Sequence, residues 1–181
     1  MKITETSLKG CFIIQPRLFR DERGLFFESY QQKKFESAIG KEVHFVQDNI
    51  SVSKKGVLRG LHLQTGLHAQ AKLVQVAHGE VLDVVVDLRP ESPTFGQHFK
   101  QILSSENRTS IFIPKGMAHG FLTLSEEATF MYKCDAFYNL ASESGIIYND
   151  EDLKIDWESP VESPIISEKD KLLPTFKEFF K

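Results

Sequence analysis

Residues 72–88 read Lys72-Leu73-Val74-Gln75-Val76-Ala77-His78-Gly79-Glu80-Val81-Leu82-Asp83-Val84-Val85-Val86-Asp87-Leu88. A β-forming run reaches Ala77, His78-Gly79 marks a turn, and a second β-rich run fills 81–88. Outward from this pair, similar short runs occupy 25–30, 44–47, 57–64, 99–103, 110–113, 121–124, 129–137 and 145–148. One helix-like stretch, 31–39, stops at Gly40. Many strands at short spacing with almost no helix predict an all-β sandwich or barrel. The tail differs: Ser167-Glu168-Lys169-Asp170 reads as a capping box opening a short helical turn, and Pro174 limits it.

A length of 181 residues without repeat, low-complexity tract or linker favours one domain over 1–181. The chain is 41% hydrophobic and 26% charged, which argues against disorder. A net charge of −3 argues against bulk attraction to nucleic acid or an anionic membrane. No stretch approaches the length of a membrane span, and Met1 to Thr6 holds no apolar signal region. Cys11 and Cys134 are too few and too isolated for a zinc motif or a disulfide framework. The expectation is a reduced, cytoplasmic protein. Phe supplies 15 rings against four Tyr and one Trp, which points to an aromatic-lined core or pocket.

Strand parity then asks which side chains share a face. Phe130, Tyr132 and Cys134 form an inward set, so Tyr132 carries a phenol into the barrel. Lys72 lies on the face of Val74 and Val76, His119 on that of Phe121, and His62 on that of Gly60 and Gln64. Four inward polar groups on separate strands point to a polar pocket, because buried polar groups need partners. Arg59 is three residues from His62, so an ideal strand opposes them; a bulge at Gly60 brings both to one site.

A metal centre is the first chemistry to weigh, and the residues argue against it. Gln64 stands where a second His would complete an HxH pair with His62, and Lys72 adds positive charge beside Glu80 and His119. No nucleophile elbow, phosphate loop or dinucleotide fingerprint is present.

The motifs, taken in order, resemble one family. They are Asp21-Glu22-Arg23-Gly24-Leu25-Phe26-Phe27-Glu28, Gln47-Asp48-Asn49-Ile50-Ser51, Val57-Leu58-Arg59-Gly60-Leu61-His62-Leu63-Gln64 and Gln70-Ala71-Lys72-Leu73-Val74. Asp87-Leu88-Arg89-Pro90-Glu91-Ser92-Pro93-Thr94-Phe95-Gly96, Ile113-Pro114-Lys115-Gly116-Met117-Ala118-His119-Gly120-Phe121 and Ser167-Glu168-Lys169-Asp170 complete the set. The chain from about Gly10 to Pro174 resembles the dTDP-4-dehydrorhamnose 3,5-epimerases, cupin-type enzymes of dTDP-L-rhamnose synthesis. Leu63 departs from a frequent Tyr, and Thr65-Gly66-Leu67-His68 replaces a commonly Pro-containing loop.

The resemblance implies a cupin-type jelly-roll barrel with a few short peripheral helices, a homodimer, and no cofactor. Its substrate would be dTDP-4-dehydro-6-deoxy-D-glucose, inverted at carbons 3 and 5. The carbon 4 ketone acidifies both neighbouring C–H bonds, so a base and an acid suffice. The family pattern makes His62 the base, Asp170 its orienting carboxylate, Tyr132 the acid and Lys72 the stabiliser of the enolate oxygen. His119 would bind near the sugar. Arg59 and Arg23 resemble pyrophosphate and nucleotide contacts. Glu28, Gln47, Asp48, Asn49, Glu143 and Lys169 fall at substrate-contact positions, and Tyr138 matches an aromatic that stacks on thymine. The early strand would reach the partner's site, so that Arg23, Phe26 and Glu28 act in trans. Two other readings are a related nucleotide-sugar single-site epimerase or ketoisomerase, and a non-catalytic sugar-binding cupin; a metal-dependent oxygenase ranks behind them.

Overall fold

The computed structural model describes residues 1–181. In chain order the elements are β1 (Lys2–Glu5), β2 (Phe12–Gln15), β3 (Leu18–Asp21), β4 (Gly24–Phe27), α1 (Gln32–Ile39), β5 (Gln47–Lys54), β6 (Leu58–Gln64), β7 (Lys72–His78) and β8 (Glu80–Asp87). They continue with β9 (His98–Ser104), β10 (Ser110–Ile113), β11 (Met117–Thr123), β12 (Glu127–Cys134), β13 (Glu143–Gly145), α2 (Glu168–Lys171) and α3 (Phe176–Phe179). One antiparallel sheet runs β1-β2-β10-β7-β12-β5, and a second runs β13-β6-β11-β8-β9. Two large antiparallel sheets packed face to face, with only short helices outside, form the expected cupin-type jelly roll.

Burial follows strand alternation. Val74, Val76, Val85, Ile111, Phe121 and Phe130 belong to the core between the sheets. The other face of the second sheet buries Leu61, Val84 and Leu122 under Ile146, Leu153 and Trp157. On the outer face of the first sheet, α1 inserts Phe35 against Phe112 at 5.2 Å between ring centroids. Gln31 caps this helix by accepting the Lys34 N–H, and Gly40 ends it in the left-handed conformation. No helix is long and apolar enough to cross a membrane.

Several expected strands move. The 25–30 run pairs only through Phe27, as half of a two-stranded β3–β4 sheet. Of the 44–47 stretch only Gln47 joins a ladder: Phe45 packs on Tyr30, and the Val46 N–H reaches across to the Cys134 carbonyl. The strand begins at Gln47 instead. In β5 the apolar Ile50 and Val52 are exposed while Gln47, Asn49 and Ser51 turn inward, the reverse of the usual alternation. The short β1–β3 carry no periodic signal long enough to read. The 145–148 run contributes only Gly145 to β13. Beyond it Ile146 exchanges two hydrogen bonds with Leu61, and the Ile147 N–H turns to Pro174.

Candidate active site

A cavity of about 570 Å³ opens at one end of the sandwich. Ser51, Arg59, His62, Lys72, His119 and Tyr132 face it from five strands, and the tail closes it with Ser167, Lys169 and Asp170. Phe121 and Phe130, stacked 4.2 Å apart, form an apolar part of its wall. The abundance of Phe therefore serves both core and pocket.

A bulge in β6 brings Arg59 and His62 together. His119 pairs with His62 and Phe121 with Arg59, so two steps along β11 match three along β6. Gly60 sits in this bulge with φ +119°, and a Cβ there would lie 2.5 Å from the Gly120 Cα. A side chain at position 60 would thus be strained and would also collide with backbone.

His62 shares a 2.8 Å hydrogen bond with Asp170, between Nε2 and Oδ1. The other Asp170 oxygen accepts the Gly60 N–H at 3.1 Å, so one carboxylate braces both the histidine and the bulge. The expected capping box forms only by half. Ser167 accepts the Asp170 N–H, whereas the Asp170 side chain turns into the cavity rather than back to its own turn. Burial pushes the Asp170 pKa up, but the bonds from His62, Gly60 and Ser167 outweigh it and hold it below the usual carboxylate value.

Lys72 and Tyr132 approach from the first sheet, opposite His62. The Lys72 ammonium donates to the His62 carbonyl at 3.4 Å and lies 6.0 Å from the Tyr132 ring centroid. Burial lowers the Lys72 pKa, partly offset by Cys134, Asp83 and Glu143. Burial raises the Tyr132 pKa, with Cys134 and Glu143 adding to it and Arg59 opposing. The two acids are thus shifted in opposite directions by one cause.

His119 is buried and bonded to Asp83 at 2.8 Å. Asp83 is fully buried, and its second oxygen has no partner. The Ser51 hydroxyl is likewise buried without a partner and faces the cavity. Sequence reasoning missed both. Asp83 was marked by being a carboxylate within an apolar run, and Ser51 by sharing strand parity with Gln47 and Asn49. Arg59 donates from Nε to Ser53 at 3.0 Å.

A smaller adjoining cavity of about 280 Å³ shares His62, Lys72, Tyr132 and Glu143, and adds Gln47, Asn49 and Tyr138. The Tyr138 hydroxyl donates to Glu143 at 2.7 Å, and Lys169 forms an ion pair with the same carboxylate. Burial pushes the Glu143 pKa up, but these two partners hold it below the usual range; Glu143 in turn raises the Tyr138 and Lys169 pKa values. The departing loop 65–68 forms a short 3-10 turn beside this cavity, and the departing Leu63 is buried in the core. Asp48 stands apart: strand alternation throws it to the outer face, paired with Lys133 at 3.0 Å.

Arg23, Phe26 and Glu28 do not reach the cavity of their own chain. Arg23 pairs with Asp21 on the exposed β3–β4 hairpin, Phe26 is 69% exposed, and Glu28 pairs with Lys34. Cys11 and Cys134 are buried and unpaired, and burial pushes the Cys11 thiol up to about 12. No group of three His, Cys, Asp or Glu side chains is placed to hold one metal ion.

Comparison with known proteins gives the same answer from sequence and from shape. A family model for dTDP-4-dehydrorhamnose 3,5-epimerase matches residues 5–178. The epimerase of that name from Salmonella typhimurium is 52% identical over 174 residues, 96% of this chain and 94% of the relative. The crystal structure of the Elizabethkingia anophelis enzyme superimposes with a TM-score of 0.95 at 56% identity, covering 98% of this chain and 97% of that one. A Legionella pneumophila dTDP-6-deoxy-D-glucose-3,5-epimerase, solved with dTDP-4-keto-L-rhamnose, gives a TM-score of 0.93 at 48% identity, covering 97% and 93%.

Proposed function

This chain belongs to the dTDP-4-dehydrorhamnose 3,5-epimerase family, and from that premise we propose that it inverts carbons 3 and 5 of dTDP-4-dehydro-6-deoxy-D-glucose in dTDP-L-rhamnose synthesis. The reaction is an isomerisation by general acid–base proton transfer. The observation that carries the reading is the His62–Asp170 pair facing Tyr132 and Lys72 across one cavity.

His62, oriented by Asp170, takes the proton from the carbon beside the ketone, and the carboxylate stabilises the imidazolium that results. Electrons of the broken C–H bond move onto the ketone oxygen, where the Lys72 ammonium meets the developing charge. Tyr132, on the opposite sheet, returns a proton from the other face, and carbonyl re-formation completes each inversion. His119, held by Asp83, borders the sugar. Arg59 takes the diphosphate, while Gln47, Asn49, Tyr138, Glu143 and Lys169 line the side that receives the nucleotide. No redox carrier enters this scheme.

The whole chain acts as one epimerase domain whose active form is a homodimer. An isolated two-stranded hairpin is marginally stable, and here β3–β4 exposes Phe19 and Phe26 beside Arg23. The edge strand β5 leaves Ile50 63% and Val52 55% exposed. A second copy covers these surfaces and receives Arg23, Phe26 and Glu28 in its nucleotide site, with Asp48 at the junction. Two buried, unpaired cysteines fit a reducing cytoplasm. NMR of the protein with the dTDP-4-keto sugar in deuterated water tests the function: deuterium should enter at carbons 3 and 5 with formation of the doubly inverted sugar. Failure to exchange at either carbon would overturn it.

A further inference from the structure

The motif Asp87 to Gly96 lines neither cavity, so the chemistry above leaves it unexplained. Its interior is tightly bonded. The fully buried Asp87 carboxylate accepts from Arg89 at 2.6 and 2.8 Å, from Ser92 at 2.5 Å and from Thr94 at 2.6 Å. The Gly96 N–H returns to the Asp87 carbonyl at 2.8 Å. A loop closed in this way presents Phe95 as a fixed surface. Phe95 meets Phe176 at 5.4 Å and Phe180 at 5.1 Å, centroid to centroid.

Those two rings belong to the segment that carries Asp170. The segment is held at two places. Upstream, Ile165 bonds to the start of β6 and the turn before it, through the Leu58 N–H at 3.0 Å and the Gly56 carbonyl at 2.8 Å. Downstream, the Pro174 carbonyl accepts the Ile147 N–H at 2.9 Å, and the Phe176 N–H donates to Asp150 at 2.7 Å. Between these holds lies α2, four residues long, tied to the barrel itself by side chains alone, through Asp170 to His62 and Gly60 and through Lys169 to Glu143. The placement of Asp170 against His62 therefore depends on where the tail is docked.

We propose that Phe95 is a positioning residue for the reaction, fixing through Phe176 and Phe180 the tail that delivers Asp170 to His62. This rests on the epimerase reading of the cavity. Displacement of a reacting group by about 1 Å can cost on the order of 10²-fold in rate. The effect should therefore appear in kcat although Phe95 lines neither cavity.

The test is a mutant cycle read by deuterium wash-in, with hydrogen exchange of the same proteins. Phe95→Ala should lower kcat by roughly 10- to 100-fold. Phe95→Tyr, which keeps the ring, should recover most of the loss. In an Asp170→Asn background Phe95→Ala should cost little more, since its target is already disabled. The Ile147 and Leu173 amides should exchange faster in Phe95→Ala while that of Val85 stays protected. Unchanged kcat, an equal loss on top of Asp170→Asn, or unchanged tail exchange would each overturn the proposal. If Phe95→Ala does not fold, Phe95→Leu carries the same cycle. A wild-type protein inert toward the keto sugar would instead sink the epimerase reading, and the exchange data would still decide whether Phe95 holds the tail.

Discussion

His62 and Asp170 are 108 residues apart in the chain and 2.8 Å apart in the fold. One comes from the middle of β6, the other from a four-residue helix near the C-terminus. Only docking of the tail across the second sheet makes them a pair. We expect His62→Ala and Asp170→Asn both to impair deuterium incorporation at carbons 3 and 5, the former more severely. A positioned base is typically worth about 10²–10⁴-fold in rate. Wild-type exchange in His62→Ala would remove it as the base.

Tyr132→Phe separates acid from base. It keeps the ring beside Phe130 but deletes the group that donates from the first sheet. His62 can still abstract protons, because Asp170 is untouched. Isotope exchange should therefore survive better than net inversion, with singly inverted or unchanged sugar accumulating. Formation of doubly inverted product at the normal rate would make Tyr132 a structural ring.

Shared sites allow complementation. An Arg23→Ala subunit and a His62→Ala subunit, each impaired alone, should recover part of the activity when mixed. One of the two composite sites then holds both intact residues. Verified heterodimers without recovered activity would place Arg23 in its own chain's chemistry or outside it altogether.

The Asp87 network sets an acid limit. Burial alone would raise this carboxyl, but Arg89, Ser92 and Thr94 hold it at about 2, below its ordinary value of 3.8. A depressed folded pKa stabilises above the unfolded value, and that stability fades as pH falls from about 4 toward 2. Asp87→Asn should cost on the order of 2 kcal/mol at neutral pH, with the gap to wild type closing in acid. Thermal melts across pH check this; a constant gap would detach the effect from Asp87 ionisation.

Much of the barrel was legible because 57–64, 72–88, 110–113 and 129–134 alternate or run apolar as paired strands do. Parity alone placed Tyr132, Lys72 and His119 inward, and the Arg59–His62 mismatch pointed to the bulge at Gly60. β5 was missed because a strand that lines a polar cavity inverts the pattern by which strands are found. The Asp83 partnership with His119 was missed because strand parity speaks of faces within one strand. Their bond crosses from β8 to β11 at a register no single run encodes. Asp170 carried its capping signal, yet only tertiary docking decides which partner its carboxylate takes.

The final expectation concerns the alkaline limit of activity. If Lys72 must be charged to stabilise the enolate and Tyr132 protonated to donate, either could end activity as pH rises. Burial shifts them in opposite directions: the ammonium loses its proton below the ordinary lysine value, and the phenol keeps its proton above the ordinary tyrosine value. Both shifts run against the ordinary order, in which the phenol titrates before the ammonium, and make Lys72 the candidate for the limit. The alkaline limb of kcat/KM should fall below the lysine value of about 10.4. It should stay in place in the residual exchange activity of Tyr132→Phe. In Lys72→Arg, whose guanidinium does not deprotonate in this range, it should move upward. A limb that shifts in Tyr132→Phe and ignores Lys72→Arg would assign the limit to the phenol and leave Lys72 as a structural cation.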